Sequence, residues 1–103
     1  MSKFDNWLEN KTPKDGDLQV WHIPQVPGKA LNIAVATPQE GKRLMDVLAA
    51  YDLFQFHNRI KPDYSNASGL NVFEGGEWVT WYSEDGDDID ELTINEVGEL
   101  VYA

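Results

Sequence analysis

Two stretches near the start of the chain have the residue pattern of β-strands. The first, Leu18 to Ile23, is rich in β-favouring residues and stops at Pro24. The second, Leu31 to Val35, alternates apolar with small or polar residues. Alternation with a period of two is typical of a strand that has one face in the core. The pattern therefore predicts two strands joined by a short loop.

A helix is predicted directly after the second strand. Thr37, Pro38 and Glu40 spell a capping box, with Thr as the N-cap, Pro at the first helical position and Glu two residues after it. Apolar residues then recur at helical spacing and predict one buried face, formed by Leu44, Val47, Leu48 and Tyr51. We expect this amphipathic helix to pack against one face of a sheet.

The dipeptide Gly75-Gly76 predicts a tight β-hairpin between residues 70–74 and 77–82, because two residues with positive φ suit a primed turn. In the second strand of this hairpin, Trp78 and Trp81 fall on opposite faces. One set of aromatic side chains is therefore expected in the core. The other set is either covered or exposed for binding.

Three segments have less regular patterns. Residues 1–16 predict a tail or a short helical turn whose apolar residues are Phe4, Trp7 and Leu8. Residues 53–68 fit either a strand or the end of the helix followed by extended chain. Residues 84–103 predict an acidic loop and a C-terminal extension, in which 92–94 and 100–102 form a last hairpin or an edge strand.

Together these elements predict a single α+β domain over residues 1–103, with a small, mostly antiparallel sheet and one amphipathic helix in the order ββαββ plus the extension. The chain is 42% hydrophobic and has no cysteine. Disulfide scaffolds, thiolate zinc sites and thiol catalysis are thereby excluded. No run is apolar enough for a signal peptide or a membrane span, so we expect a soluble, cytoplasmic protein of the host cell.

Charge divides the chain into two unlike halves. The formal net charge is −10, and all eight Lys and Arg lie in residues 1–61 with seven acids. Residues 62–103 contain eleven acids and no Lys or Arg. Such a surface repels phosphate backbones and anionic membranes and attracts basic proteins or cations. We therefore expect no direct nucleic-acid binding and no membrane binding, and a partner protein with a basic surface.

The acidic run does not match the twelve-residue calcium-binding loop of an EF-hand. With Asp85 at position 1, Asp87 and Glu96 fall at positions 3 and 12, but position 5 is Ile89 and position 6, which requires Gly, is Asp90. A restriction-type nuclease core also fails, because it needs a lysine after its second acid and no lysine follows residue 61. No metal or cofactor is predicted. A looser cation site in this run stays open.

Catalytic motifs are equally absent from the sequence. His22 and His57 belong to no ligand-spaced pair and to no nucleophile elbow. For His22, in a predicted strand, we expect a partly buried imidazole with one hydrogen bond. The sequence therefore predicts that the protein is not an enzyme.

The acidic run follows directly on the aromatic hairpin, and this juxtaposition predicts a protein-binding surface. Aromatic side chains provide buried contact area, and charges steer a basic partner. The candidate residues are Trp78, Trp81, Tyr82, Glu84, Asp85, Asp87, Asp88 and Asp90. The alternative is a solvated acidic loop that keeps the protein soluble.

A second cluster is a candidate ligand site because it combines basic and aromatic side chains, which can stack on and charge-pair a nucleotide. Its members are Phe56, His57, Arg59, Lys61 and Tyr64. The alternative is that Phe56 and Ile60 belong to the core while the two bases offset neighbouring acids.

Several short segments of the sequence are similar to segments found in one group of proteins. They are WHIPQVP (21–27), YDLFQF (51–56), KPDYSN (61–66) and VFEGGEW (72–78), with Trp81-Tyr82 and the acids that follow. Across most of residues 3–90 the chain resembles short acidic proteins of lambdoid temperate phages and prophages, called superinfection exclusion proteins. The resemblance assigns no chemical role to any residue.

The resemblance implies a phage-encoded protein that acts stoichiometrically in competition between phages, or between phage and host. We expect a non-enzymatic inhibitor that binds a host or rival-phage protein, in superinfection exclusion or in counter-defence. Imitation of nucleic-acid charge is one form of such binding. The alternative functions are a sponge that sequesters a nucleotide immune signal and an oligomeric assembly factor.

Overall fold

A four-stranded antiparallel sheet carries one long helix on one face. The computed structural model describes residues 10–62 and 65–103. In chain order the elements are β1 (Leu18–Ile23), β2 (Leu31–Val35), α1 (Pro38–His57), β3 (Ala67–Glu74), β4 (Glu77–Thr80), a short 3-10 helix (Ile89–Glu91), β5 (Leu92–Ile94) and β6 (Leu100–Tyr102). The sheet order is β2-β1-β3-β4, and β5 and β6 form a separate antiparallel pair. The predicted α+β class is confirmed, and residues 92–102 form a hairpin.

The core lies between the sheet and α1, as the strand pattern predicts. Leu18 pairs with Val35 on one side and with Val72 on the other, and Val20 pairs with Leu70. These side chains share one face, because directly opposed residues in adjacent strands project to the same side. The buried apolar cluster comprises Leu18, Val20, Val35, Met45, Leu70 and Ile89.

The buried face of α1 agrees only in part with the predicted one: Leu44 packs against the core and Leu48 is half-buried. Val47 and Tyr51 are 48% and 57% exposed, and the buried helical residues are Gly41, Met45 and Asp52. A Cβ on Gly41 would lie 3.0 Å from Leu70 Cδ1. The missing side chain lets the helix approach the sheet closely, so the buried stripe begins at this glycine. The sequence pattern treats it only as a weak helix former.

Both ends of α1 have recognisable caps. The Thr37 hydroxyl accepts a hydrogen bond from the Glu40 backbone N–H at 3.1 Å, as one half of the predicted capping box requires. At the other end, the Ile60 N–H bonds to the Gln55 carbonyl at 2.8 Å. Arg59 has φ 60°, the left-handed conformation. This is a Schellman motif with arginine where glycine is usual, and it shows that residues 53–57 are helical.

The sheet face opposite α1 is partly covered by aromatic side chains. Trp21 pairs with Gly69, and a Cβ on this glycine would lie 2.6 Å from the indole Nε1. Phe73 and Trp78 pack edge to face with their ring centroids 5.2 Å apart. Trp81, in contrast, packs against the core. The predicted division of aromatics between the two hairpin faces is therefore confirmed.

The hairpin turn matches its predicted geometry, since Gly75 and Gly76 both have positive φ, 61° and 87°. The apolar cluster predicted at Phe4, Trp7 and Leu8 lies outside the described residues. In the parts of the chain that the structure describes, no helix combines the length and apolar character needed to cross a membrane.

We predict that Gly69→Ala lowers the free energy of unfolding by about 1–3 kcal/mol, because the added methyl group overlaps the Trp21 indole. Urea unfolding measures the change. In a Trp21→Leu background the same glycine substitution should cost much less. An equal cost in both backgrounds would show that the indole is not the obstacle.

Candidate functional site

The acidic run forms a closed turn, which we call the acidic turn (residues 83–91). The Gly86 N–H donates to the Ser83 carbonyl at 2.9 Å, and the Ser83 N–H donates to the Asp87 carbonyl at 2.9 Å. The Asp87 N–H in return donates to the Ser83 hydroxyl at 3.0 Å. Gly86 has φ 86°, which suits a residue without a side chain. The turn is held by its own backbone and hydroxyl groups.

The second half of the acidic turn is a capped 3-10 helix. Asp88 is its N-cap and accepts from the Asp90 N–H at 3.0 Å. The Asp88 N–H donates to Glu91 Oε1 at 3.5 Å, which completes a capping box. Ile89, 1% exposed, inserts into the core from this helix. The motif Asp-x-x-Glu before an apolar residue is a capping-box signal, and the sequence analysis did not recognise it here.

Carboxylates of the acidic turn divide into two groups. Asp87 and Asp88 are half-buried and take part in the hydrogen bonds of the turn itself. The exposed group consists of Glu84, Asp85, Asp90 and Glu91. Within residues 10–62 and 65–103, the ion pairs involve only Asp52 and Asp46 as acids. The exposed acids of the turn therefore have no basic side chain paired with them in the described structure.

A metal centre at this turn has no support from side-chain positions. Nowhere in the described part of the chain do three His, Cys, Asp or Glu side chains group so that they could hold a metal ion.

The structure separates the aromatic residues predicted to accompany these acids. Trp81 packs against the core from the helix side, whereas Trp78 packs on Phe73 on the opposite face of the sheet. Tyr82 is 58% exposed and forms a backbone bridge with Asp88, so it borders the acidic turn directly. One aromatic side chain of the predicted set therefore adjoins the exposed acids, and Trp78 lies farther along the hairpin.

The second predicted cluster surrounds the C-terminal end of α1. Its described members line a surface depression with Ile60 and Pro62, and the rings of Phe56 and His57 are 5.8 Å apart. Arg59 is exposed at the left-handed position of the helix cap. Lys61 points inward: its Nζ is 3.5 Å from Asp52 Oδ1 and also donates to the Pro24 carbonyl. Tyr64 lies outside the described residues.

A buried polar cluster connects the helix to the sheet near this depression. His22 Nε2 lies 2.7 Å from Asp52 Oδ2, and both residues are 2% exposed. The Asn66 amide donates to the same carboxylate oxygen at 2.9 Å. The predicted single hydrogen bond of His22 is confirmed, but the sequence analysis did not single out Asp52. The available signal was its position seven residues after Met45, on the same helix face.

The Asp52 carboxylate is ionised in this cluster. Burial alone would raise its pKa, but the hydrogen bonds from Asn66 and His22 and the nearby Lys61 ammonium group outweigh that effect, so the pKa lies below its ordinary value. His22 Nδ1 is buried and has no hydrogen-bond partner among the described residues. A catalytic triad needs a nucleophile on the second ring nitrogen, so this pair has the geometry of a structural contact.

We predict that Asp52→Asn lowers the free energy of unfolding by about 3 kcal/mol at pH 6, because it leaves the largely buried Lys61 ammonium group without its anionic partner. A lowered folded-state pKa contributes stability above the ordinary value of 3.8 and loses it as pH falls through the folded value. The difference between the two proteins should therefore shrink below about pH 4.

The matched control is Asp46→Asn, which removes the partner of the partly exposed Lys42. We expect it to change stability by less than about 1 kcal/mol at any pH. Urea unfolding at several pH values measures both variants. A difference for Asp52→Asn that persists unchanged to pH 3 would contradict the assignment of an ionised carboxylate.

Comparison with known proteins agrees with the resemblance seen in the sequence. A family model described as superinfection exclusion gene product 17 matches residues 17–99. The superinfection exclusion protein of Salmonella phage P22 is 48% identical over 80 residues, an alignment that covers 65% of this chain and 78% of that protein. No solved structure matches the chain. The family model spans β1 to β5 and the turn that follows it, and the chain therefore belongs to the superinfection exclusion gene product 17 family.

Proposed function

We propose that this protein acts in superinfection exclusion as a non-enzymatic inhibitor that binds a basic surface on a host or rival-phage protein. The observation that carries the proposal is the acidic turn, in which four exposed carboxylates stand on a hydrogen-bonded backbone without basic partners in the described structure. Family membership supports the biological setting. It identifies no target.

The order of the turn favours binding over a purely solubilising role. Ile89 is inserted in the core and Asp88 caps the 3-10 helix, so the backbone that carries the acids is already fixed. A preformed site loses less conformational entropy on binding than a flexible one. Its charge also accelerates encounter with a basic partner. A fixed row of carboxylates is, in addition, what imitation of a nucleic-acid strand would require.

Different residues have different roles in this proposal. The exposed acids Glu84, Asp85 and Asp90 pair with basic side chains of the target, and Tyr82 provides apolar contact beside them. Asp87 and Asp88 shape the turn. Trp81 supports the hairpin from the core side. Trp78 extends the contact along the hairpin only if the target also reaches the opposite sheet face.

A second candidate function, sequestration of a nucleotide signal, is favoured by the depression at the end of α1. There Arg59 is exposed beside the Phe56 and His57 rings, and guanidinium and aromatic groups together can hold a phosphate and a base. Lys61 also lines the depression, but its ammonium group is engaged by Asp52 and the Pro24 carbonyl. Arg59 is therefore the side chain on which this function depends.

We predict that the variant Glu84→Gln, Asp85→Asn, Asp90→Asn, which leaves the capping carboxylate of Glu91 in place, loses its target in affinity capture from host lysate. It should also stop protecting host cells against a superinfecting phage, measured as plating efficiency. For the unmodified protein, capture should weaken between about 0.15 and 0.5 M salt, because salt at that strength screens exposed charges.

The control removes the same number of charges from exposed acids elsewhere: Glu74→Gln, Glu77→Gln and Glu96→Gln. It should retain capture and protection. If both variants lose them equally, the effect comes from net charge and not from the turn. If both retain them, the acidic turn is not the binding surface.

For the nucleotide alternative, a ligand that binds the folded state should raise the melting temperature in a panel of linear, cyclic and ADP-ribose nucleotides. Arg59→Ala should abolish the shift. It should not lower the melting temperature of the free protein, because the Arg59 side chain is exposed and its removal breaks no buried contact. No shift for the unmodified protein across the panel would remove this function.

A further inference from the structure

The sheet face opposite α1, which we call the aromatic sheet face, contains a buried glutamine. Gln19 lies in the middle of this face, between Ala34 and Asn71 on the neighbouring strands, and is 7% exposed. Both described helices lie on the other side of the sheet, where Gly41 and Ile89 contact the core. Because the outward polar residues of an antiparallel sheet are ordinarily hydrated, the burial of Gln19 indicates that another segment covers this face.

The side chains around this glutamine suit an apolar cover. Trp21 lies against Gly69, and Phe73 and Trp78 pack edge to face, so large rings project from three of the four strands. All three rings are half-buried. None of the described strand residues on this face is charged, although the chain contains 18 Asp and Glu. A solvated face in so acidic a protein is expected to carry some of these acids, so its composition also favours a covered face.

The described part of the chain begins on this same side of the sheet. Asp17 stands directly before β1 and opposite Phe73, whose N–H donates to the Asp17 carbonyl at 2.9 Å. The Asp17 side chain therefore projects to the aromatic sheet face together with the Phe73 ring. The Asn10 side-chain amide donates to the Asp17 carboxylate at 2.9 Å. Asn10 is thereby held at the edge of the aromatic sheet face, and residues 1–9 continue from it.

The sequence of residues 1–9 fits such a cover. Phe4, Trp7 and Leu8 recur at the i, i+3, i+4 spacing of one helix face. Ser2 and Asp5 have the spacing of a capping box at the start of that helix. Nine helical residues are about 13 Å long, and the strands of a sheet lie about 4.8 Å apart. The segment is therefore long enough to place an apolar face across three strands.

Charge argues against the other possible occupants of the aromatic sheet face. A second copy of the chain has the same net charge of −10 and is repelled over most of its surface. A target with a basic surface is attracted to carboxylates, and this face has none on its strands. Residues 1–9 need no attraction between molecules, because Asn10 already holds them beside the face.

We propose that residues 1–9 form a short amphipathic helix that packs across the aromatic sheet face. Phe4, Trp7 and Leu8 are then buried against the rings of β1, β3 and β4, and Gln19 lies beneath them. The sheet is enclosed between two helices, and Trp78 belongs to the packed interior instead of a target-binding surface. The proposal rests on the fold and does not depend on the proposed function.

Nuclear Overhauser effects in the isotopically labelled full chain, of 11.7 kDa, test the proposal directly. We expect contacts from the side chains of Phe4, Trp7 and Leu8 to the rings of Trp21, Phe73 and Trp78. Contacts to the exposed apolar side chains of α1 instead would overturn the proposal, and so would the absence of any contact from residues 1–9 to the sheet. In a sample mixed from labelled and unlabelled copies, contacts seen only between copies would assign the cover to a second chain and would also overturn it.

Thiol accessibility gives a second test, because the chain contains no cysteine and a single introduced thiol can be followed alone. Asn71→Cys places it on the aromatic sheet face, and the control Val47→Cys places it on the exposed side of α1. Combining Trp7→Gln and Leu8→Gln with each should speed modification at position 71 by at least about tenfold, because the cover then opens more often. The rate at position 47 should not change. An unchanged rate at position 71, or an equal rise at position 47, would contradict the proposal.

Discussion

The rotation of α1 about its own axis is fixed by two contacts, and much of the surface follows from it. Near the start of the helix, Gly41 allows close approach to Leu70 on the sheet. Eleven residues later, Asp52 reaches His22 on β1. Both contacts lie on one side of the helix, so the side away from the sheet, with Val47 and Phe54, faces solvent. A helix turned to bury Val47 and Phe54 would carry Asp52 toward solvent and leave the buried His22 imidazole without its partner, which costs about 1–3 kcal/mol.

The same carboxylate organises the chain beyond the helix. Asp52 receives Asn66 just before β3, and Lys61 from the connection between α1 and β3. Lys61 also binds the carbonyl of Pro24 at the end of β1. Helix, connection and strand end are thereby joined at one buried negative charge. Lys61 therefore stabilises the fold. Among the described residues that line the neighbouring depression, Arg59 is the exposed cation.

Two surfaces of opposite character result from this arrangement. The acidic turn satisfies its backbone internally, and Glu84, Asp85 and Asp90 have no basic partner among the described residues. The outer face of α1, in contrast, exposes the apolar side chains of Val47, Tyr51 and Phe54. Family membership places both surfaces in a phage exclusion protein.

Local rules made much of this fold predictable from the sequence. Strands β1 and β2, the Thr37 cap and the Gly75-Gly76 turn each depend on neighbouring residues, and each appears where its pattern predicts. The rotation of α1, the choice of Trp81 over Trp78 for the core and the inward direction of Lys61 were decided by tertiary contacts. A prediction from helical periodicity assigns the most hydrophobic face to the core, and it therefore predicts that Tyr51 is buried and Asp52 exposed. The reverse is found because a buried charge is tolerated once several partners converge on it, and that convergence exists only after distant segments have packed.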